Sequence, residues 1–329
     1  MQESKSSNIW WVENLHEIIA EGFVYKSQAN IGGAYDKHFF ISKSNGHTYL
    51  WKSGKRKLGA ISKSGKPRSA TSRDKEFTQP QAEYFASRVA EAVLNPGEHV
   101  PLMLFPFPFT EVEGVKEGTL GIIMPFLEDA VAHTFDNNSL ELLSPNDIVA
   151  IQQLHVFDYL ISNLDTHAST TMKVDGKLIG IDRGQSMRYL SNVLRAKLPG
   201  LQLDTLDRDK TPIGAPSFYN EFFTKVTSGK IKISFDAVKA LLNKVDTISD
   251  DTWKSWTEGY LDAFKNKYLV EMKSSPVGKP GNKTYWKGLT SEEINRDIDD
   301  ISQEMVSRKN RIYGEVISFY EQLKNSSNS

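Results

Sequence analysis

Apolar residues alternate with polar ones in short runs over the first third of the chain, and recur near the helical period over most of the rest. Residues 8–20 carry Trp10, Trp11, Leu15, Ile18 and Ile19 at helix-like spacing. Phe23-Val24-Tyr25 reads as a short strand, and the stretch from Asn30 to Tyr35, with Gly32 and Gly33, as a turn. Two strands follow, Lys37 to Ser42 and His47 to Lys52, joined by Ser44-Asn45-Gly46, which carries the Asn-Gly hairpin signal. Residues 53–78 hold few large apolar side chains and read as a long loop. A helix is expected from Gln79 to about Leu94, with Pro80 in its first turn and Phe85, Val89, Ala92 and Val93 as its buried stripe. Asn95-Pro96-Gly97 ends it. After an apolar segment from Val100 to Phe109, the run from Thr119 to Met124 is a buried strand leading into Pro125-Phe126-Leu127-Glu128.

Beyond residue 128 the pattern is mostly helical. Ser144-Pro145-Asn146-Asp147 opens a helix with Ile148, Ile151, Leu154, Phe157 and Ile161 on one face. A hairpin follows it. Thr170 to Val174 and Lys177 to Ile181 are its strands, and Asp175-Gly176 its two-residue turn, because glycine takes positive φ freely. Further helices are expected over Phe218 to Phe223, Phe235 to Val245 and Trp253 to Leu269. Lys273 to Gly281 reads as a linker. Thr290 and Glu293 form a capping-box pair ahead of a long amphipathic helix carrying Ile294, Ile298, Ile301, Met305, Ile312, Val316 and Leu323.

Composition narrows the class. The 329 residues are enough for two lobes around a sizeable core. With no cysteine, neither a disulfide framework nor a thiolate metal site is available. The seven histidines show no zinc-ligand spacing. No cleavable secretory signal opens the chain and no apolar run is long enough to span a bilayer, so a soluble protein is expected. A net charge of −1 argues against broad nucleic-acid binding. Locally the balance differs: Lys52, Lys55, Arg56, Lys57, Lys63, Lys66, Arg68, Arg73 and Lys75 face only Asp74 between residues 52 and 75.

The chemistry concentrates around the central hairpin. A hairpin brings its strand ends together, so Asp165, just before the first strand, and Asp182, just after the second, should face one small space. One carboxylate would suit proton acceptance from a hydroxyl, the other a magnesium ion on a nucleotide. The ten residues Asp158-Tyr159-Leu160-Ile161-Ser162-Asn163-Leu164-Asp165-Thr166-His167, with Ile181-Asp182-Arg183-Gly184, resemble the catalytic and metal loops of the atypical protein-kinase-like superfamily. That branch includes HipA-like, phosphoinositide-kinase-like and secretory-pathway casein-kinase-like enzymes. The resemblance spans roughly residues 24–190, and the single-module layout is similar to secreted bacterial effector kinases such as those of Legionella.

The resemblance implies an α+β, two-lobed kinase-like fold: a small β-rich N-lobe over residues 1–124 with the basic insertion 53–78, a mainly helical C-lobe over 125–272, and a linker and C-terminal helical extension over 273–329. It implies an ATP-dependent phosphotransferase using Mg²⁺ or Mn²⁺, with a hydroxyl of a protein or a phosphoinositide as acceptor. Asp165 would be the catalytic base or orienting carboxylate, and Asp182 the metal ligand. Lys52 would neutralise phosphate oxygens and Glu83 would hold it, although Glu76 and Glu91 lie near enough to compete. Gly32 and Gly33 would let backbone amides approach the phosphates. Met124, Phe126 and Leu127 would line the adenine slot. His167 would be a structural hydrogen-bonding residue.

The chain also departs from the family pattern. Ser169, Thr170 and Thr171 stand where a second metal ligand, often Asn, is expected, which leaves Asn163 as the substitute and the number of metal ions open. A catalytically inactive pseudokinase serving as a nucleotide- or phosphoinositide-binding scaffold, and a metal-dependent phosphohydrolase, therefore stand as alternatives. The basic run is either a solvated loop or a polyanion site built from Lys55, Arg56, Lys57, Lys63, Lys66 and Arg68, with an inositol polyphosphate as candidate ligand. The C-terminal helix either docks on the large lobe or, helped by Lys273, Lys279 and Lys283, meets an anionic phosphoinositide membrane surface. The expected location is the cytoplasm, or a host cell if the protein is an effector.

Overall fold

The computed structural model describes residues 10–12, 14–31, 35–56, 79–132, 143–163, 166, 170–184, 186–187, 218–274 and 290–326. A 3₁₀ turn, Trp10–Val12, precedes helix α1, Leu15–Glu21. The single helix expected over 8–20 is thus divided. Asn14 stays extended and its side chain accepts a hydrogen bond from the His16 amide, which starts α1 afresh.

Strands β1 (Phe23–Gln28), β2 (Tyr35–Ser42) and β3 (Thr48–Arg56) form an antiparallel meander. β3 runs four residues past Lys52, into the stretch expected to be loop, because Arg56 still pairs with Tyr35. Helix α2, Gln79–Val93, follows. Then come β4 (Met103–Pro106), a small hairpin β5–β6 (Glu111–Val112 and Val115–Lys116), and β7 (Leu120–Pro125). β7 inserts between β3 and β4, giving one five-stranded sheet in the order β1-β2-β3-β7-β4. A second sheet has the order β10-β9-β8, from β8 (Val131–Ala132), β9 (Thr171–Val174) and β10 (Lys177–Gly180).

The remaining elements are helical: α3 (Pro145–Leu160), α4 (Phe218–Thr227), α5 (Phe235–Asp246), α6 (Asp250–Ser274) and α7 (Ser291–Ser326). The chain is therefore α+β, an antiparallel sheet region followed by helices and closed by one long C-terminal helix. None of the described helices is long and apolar enough to cross a membrane.

The period-two pattern of β3 gives the large sheet two different faces. Tyr49 and Trp51 point into an aromatic cluster with Phe23, Phe40 and Phe107, roofed by Leu15 and Ile18 of α1. Trp51 Nε1 donates to the Phe105 carbonyl at 2.9 Å, so the indole is buried with its polar atom satisfied. Leu50 and Lys52 point the other way, toward α2 and the small sheet.

α2 is buried on more than one side. Ala82, Ala86 and Ala90 are buried beside Phe85 and Val89, whereas Ala92, expected in the stripe, is exposed. The alanines let neighbouring elements approach closely. α2 consequently shares the largest apolar cluster with α3, α4, α5, α6 and α7. α7 supplies Ile301, Met305, Ile312, Val316 and Tyr320, all fully buried. Its start matches the Thr290–Glu293 capping box: the Glu293 amide donates to Thr290 Oγ1 at 3.2 Å and the Thr290 amide to Glu293 Oε2 at 2.6 Å.

If α7 is core, truncating it at the centre should cost as much as any core cavity. Ile312→Ala should lower the unfolding free energy by about 2–5 kcal/mol in urea titrations. A loss under about 1 kcal/mol, the scale of a surface change, would mean that α7 is only appended.

Candidate active site

Lys52 is the centre of the site. Its register partners are Lys37 on β2 and Ile122 on β7, so the two lysines share the sheet face that looks toward α2. Only 5% of Lys52 is exposed. Its Nζ donates to Glu83 Oε2 of α2 at 2.9 Å and to Asp182 Oδ1, past the end of β10, at 2.5 Å. It also lies 5.5 Å from the Tyr35 ring centroid. Burial pushes the Lys52 ammonium toward deprotonation, but the Asp182 and Glu83 carboxylates outweigh that, and its pKa is raised above the ordinary lysine value. Burial raises the Glu83 carboxyl, with Lys52 opposing and Asp182 adding to the rise. Glu91, the other described candidate for pairing with Lys52, instead bonds Arg88 at 2.7 Å.

Asp182 differs from Glu83 in being open: its side chain is 49% exposed. Its φ of 59° is left-handed, as are those of Ser162 at 55° and Met187 at 60°. Non-glycine residues seldom hold that conformation, so surrounding contacts must impose it.

Those contacts radiate from Asp158, which is 1% exposed near the end of α3. Its Oδ1 accepts from Asn163 Nδ2 at 3.1 Å and Arg183 Nε at 3.2 Å. Its Oδ2 accepts from the Thr166 hydroxyl and the Tyr219 hydroxyl, both at 2.6 Å. Asn163 Nδ2 also reaches Thr166 Oγ1 at 3.2 Å. One carboxylate thereby ties together the residues flanking positions 164–165, the residue after Asp182, and α4. Burial and the facing Asp158 carboxylate push the Tyr219 hydroxyl well above its usual pKa.

Arg183 is buried by the same network. Its Nη1 donates to the Ile181 carbonyl at 3.0 Å and its guanidinium lies 5.5 Å from the Phe157 ring centroid. Gly180 makes the space: a Cβ there would fall 1.9 Å from Arg183 Nη2. His99 pairs with Gly180 through a parallel bridge, and its imidazole is pushed down to about 4, chiefly by burial and also by Arg183, against Glu98.

Of the slot residues expected from the sequence, Met124 and Leu127 pack in a cluster with Met172 and Ile181 of the hairpin. Phe126 packs on Phe39, with ring centroids 4.6 Å apart, and Phe39 is paired with Leu50 on the sheet face that carries Lys52. Asp165, His167, Gly32, Gly33, Lys57, Lys63, Lys66 and Arg68 lie outside the described residues, and so do the side chains of Lys55 and Arg56. Within the described residues no cluster of three or more acidic or histidine side chains forms a metal cage. Asp158 and Arg183 stand in the two loop motifs with no role legible from the sequence, and Lys37 reads there as an ordinary strand residue. The register opposite Lys52 was the available signal for Lys37.

No protein-family model matches the chain, and no curated protein matches it. Among solved structures it is similar to the Rio2 kinase–ADP/Mg²⁺–phosphoaspartate complex from Chaetomium thermophilum, at 15% identity and a TM-score of 0.30, over 68% of this chain and 71% of that one. A superposition that loose places no residue of this chain.

The Asp158 network yields a direct test. Asp158→Asn keeps the shape but removes the charge that faces Arg183 and turns two acceptor sites into donors. It should cost about 3–5 kcal/mol of stability by chemical denaturation, the usual effect of breaking a buried ion pair from one side. A cost below about 1 kcal/mol would show that Asp158 does not organise these loops.

Proposed function

We propose that the chain is a kinase-type phosphotransferase that moves the γ-phosphoryl group of ATP to a hydroxyl. The observation that carries this reading is the buried Lys52 bonded at once to Glu83, which is sealed in, and to Asp182, which is half open. A structural ion pair needs one carboxylate for one ammonium. Here a second carboxylate stands at the solvent side, and a second ammonium, Lys37, belongs to the same sheet face. Glu83 already faces Lys37 as well as Lys52. A nucleotide's phosphates would meet the two ammonium groups from the open side, beside Asp182.

The residues present suit a magnesium-bound nucleotide. Mg²⁺ prefers hard oxygen donors and commonly takes one or two protein carboxylates, filling its octahedron with phosphate oxygens and water. Asp182 offers that carboxylate. Bound there, the metal would neutralise charge on the phosphates. Lys52, oriented by Glu83, would add positive charge at the phosphate oxygens. Asp165 would orient the acceptor hydroxyl and take its proton. Asn163 stands next in line as an oxygen donor, although its amide nitrogen is committed to Asp158 and Thr166. Met124, Phe126 and Leu127 would bound the base. The acceptor would be a protein or a phosphoinositide hydroxyl, within the atypical branch and the effector-like group that the loop motifs resemble.

These roles separate by experiment. Asp182→Ala should abolish metal-dependent ADP binding measured by calorimetry with Mn²⁺. Asp165→Asn should leave that binding intact and lower transfer by roughly 10²–10⁴, as loss of a general base does. A wild-type chain that binds ADP with Mn²⁺ and transfers nothing would replace this reading with the scaffold; unchanged ADP affinity in Asp182→Ala would remove Asp182 as the metal ligand.

The basic run between residues 52 and 75 fits a polyanion such as an inositol polyphosphate, whose charge would cancel the mutual repulsion of the lysines and arginines. Reversing Lys55, Arg56, Lys57, Lys63 and Lys66 to Glu should abolish inositol hexakisphosphate binding in calorimetry and any stimulation of transfer. Equal responses in wild type and variant would reduce the run to a solvated loop.

A further inference from the structure

Glu83 and Phe85 are two positions apart on α2, so about 200° of rotation separates them on the helix. Glu83 meets Lys52 on the sheet side. Phe85, fully buried, meets Trp253 of α6 edge-on, with centroids 5.5 Å apart and planes at 89°. One turn further along α2, the Arg88 guanidinium lies 5.9 Å from the Trp256 ring centroid, and Trp256 packs 6.2 Å from Trp253. The ends of α2 are held too. At its start, Gln79 lies so close to Gly184 that a Cβ at 184 would fall 2.3 Å from Gln79 Cγ. Just past its end, Asn95 Oδ1 accepts from Lys244 of α5 at 2.8 Å.

We propose that Trp253 and Trp256 are positioning residues for Lys52. They fix the rotation of α2 from the helical side, and that rotation holds Glu83 against the lysine on the sheet side. A helix with a fully buried indole locked against its back does not roll unless the core opens, because packed interiors shift between discrete arrangements rather than deform smoothly. Trp253 is held by packing alone: its Nε1 is buried with no hydrogen-bond partner among the described residues. Phenylalanine should therefore replace it better than leucine. The catalytic consequence rests on the phosphotransferase reading. The mechanical one, the link from α6 to Lys52, does not.

The test reads Lys52 directly. The full chain is treated with an amine-acylating reagent and labelling at Lys52 is followed by mass spectrometry, alongside transfer kinetics. Trp253→Leu and Trp256→Ala should raise Lys52 labelling and lower kcat by about tenfold each, with Trp253→Phe restoring most of both. In a Glu83→Gln background the same substitutions should change either quantity less than about twofold, because their effect runs through Glu83. A purely structural role predicts instead the same added loss in both backgrounds, and that result overturns the proposal. So does unchanged labelling in folded Trp253→Leu or Trp256→Ala protein. If Trp253→Leu does not fold, Trp256→Ala, at the half-buried edge of the contact, decides. If the chain transfers no phosphate, the labelling result still stands or falls by itself, which separates failure of this link from failure of the phosphotransferase reading.

Discussion

Everything at the centre of this molecule depends on keeping one ammonium group charged where water barely reaches it. Taking an ion out of water costs several kcal/mol even after relaxation. Lys52 meets that cost with two carboxylates rather than one. The arrangement constrains three distant parts of the chain at once: β3 must present Lys52 to the correct face, α2 must bring Glu83 within 2.9 Å, and the segment after β10 must turn back to place Asp182. An error in β3 or α2 leaves a buried charge unpaired, and one after β10 leaves Lys52 with Glu83 alone. The exposed position of Asp182 gives the triad an asymmetry, with one partner permanent and the other accessible to an incoming group.

Asp158 solves the complementary problem. The loops on either side of the hairpin hold left-handed backbone at Ser162, Asp182 and Met187, where side chains ordinarily disfavour it. A fully buried carboxylate accepting four hydrogen bonds supplies the restraint. It is satisfied by groups from α3's own end, from the segment before β9, from the segment after β10 and from α4. Buried polar groups with complete partners favour one arrangement over near alternatives, because every rival leaves an atom unpaired in a medium where that is expensive.

The sequence made the local pieces readable. Asp175-Gly176 marks a turn by its backbone demands, Ser144 with Asp147 and Thr290 with Glu293 mark helix starts by reciprocal hydrogen bonds, and Lys52 continues the strand alternation that begins at His47, although β3 runs on to Arg56. Each depends on residues a few positions apart. What escaped reading depends on partners far along the chain. Nothing near Asp158 announces Tyr219, and nothing near Phe85 announces Trp253, more than 160 positions later. The alanines of α2 looked neutral by pattern, yet their small size lets the helix be buried on several sides. The β5–β6 hairpin was invisible because strands of two residues carry no periodicity. Asp165 and most of the basic run lie outside the described residues.

The hairpin turn has a reach beyond its own two residues. Asp175 and Gly176 both adopt positive φ, 47° and 75°, the turn that matches the natural twist of paired strands. It fixes Val174 opposite Lys177 and, three rungs later, Thr171 opposite Gly180. Slipping one residue along this ladder would exchange the two faces of β10. Ile179, now sealed against Trp11 and Val100, would turn outward, and Asp182 would leave Lys52. The exposed tip therefore works as a gauge block for the opposite end of the hairpin. Length changes there that preserve pairing parity are compatible with the site, while a single added residue absorbed into the ladder would disassemble it without touching any of its members.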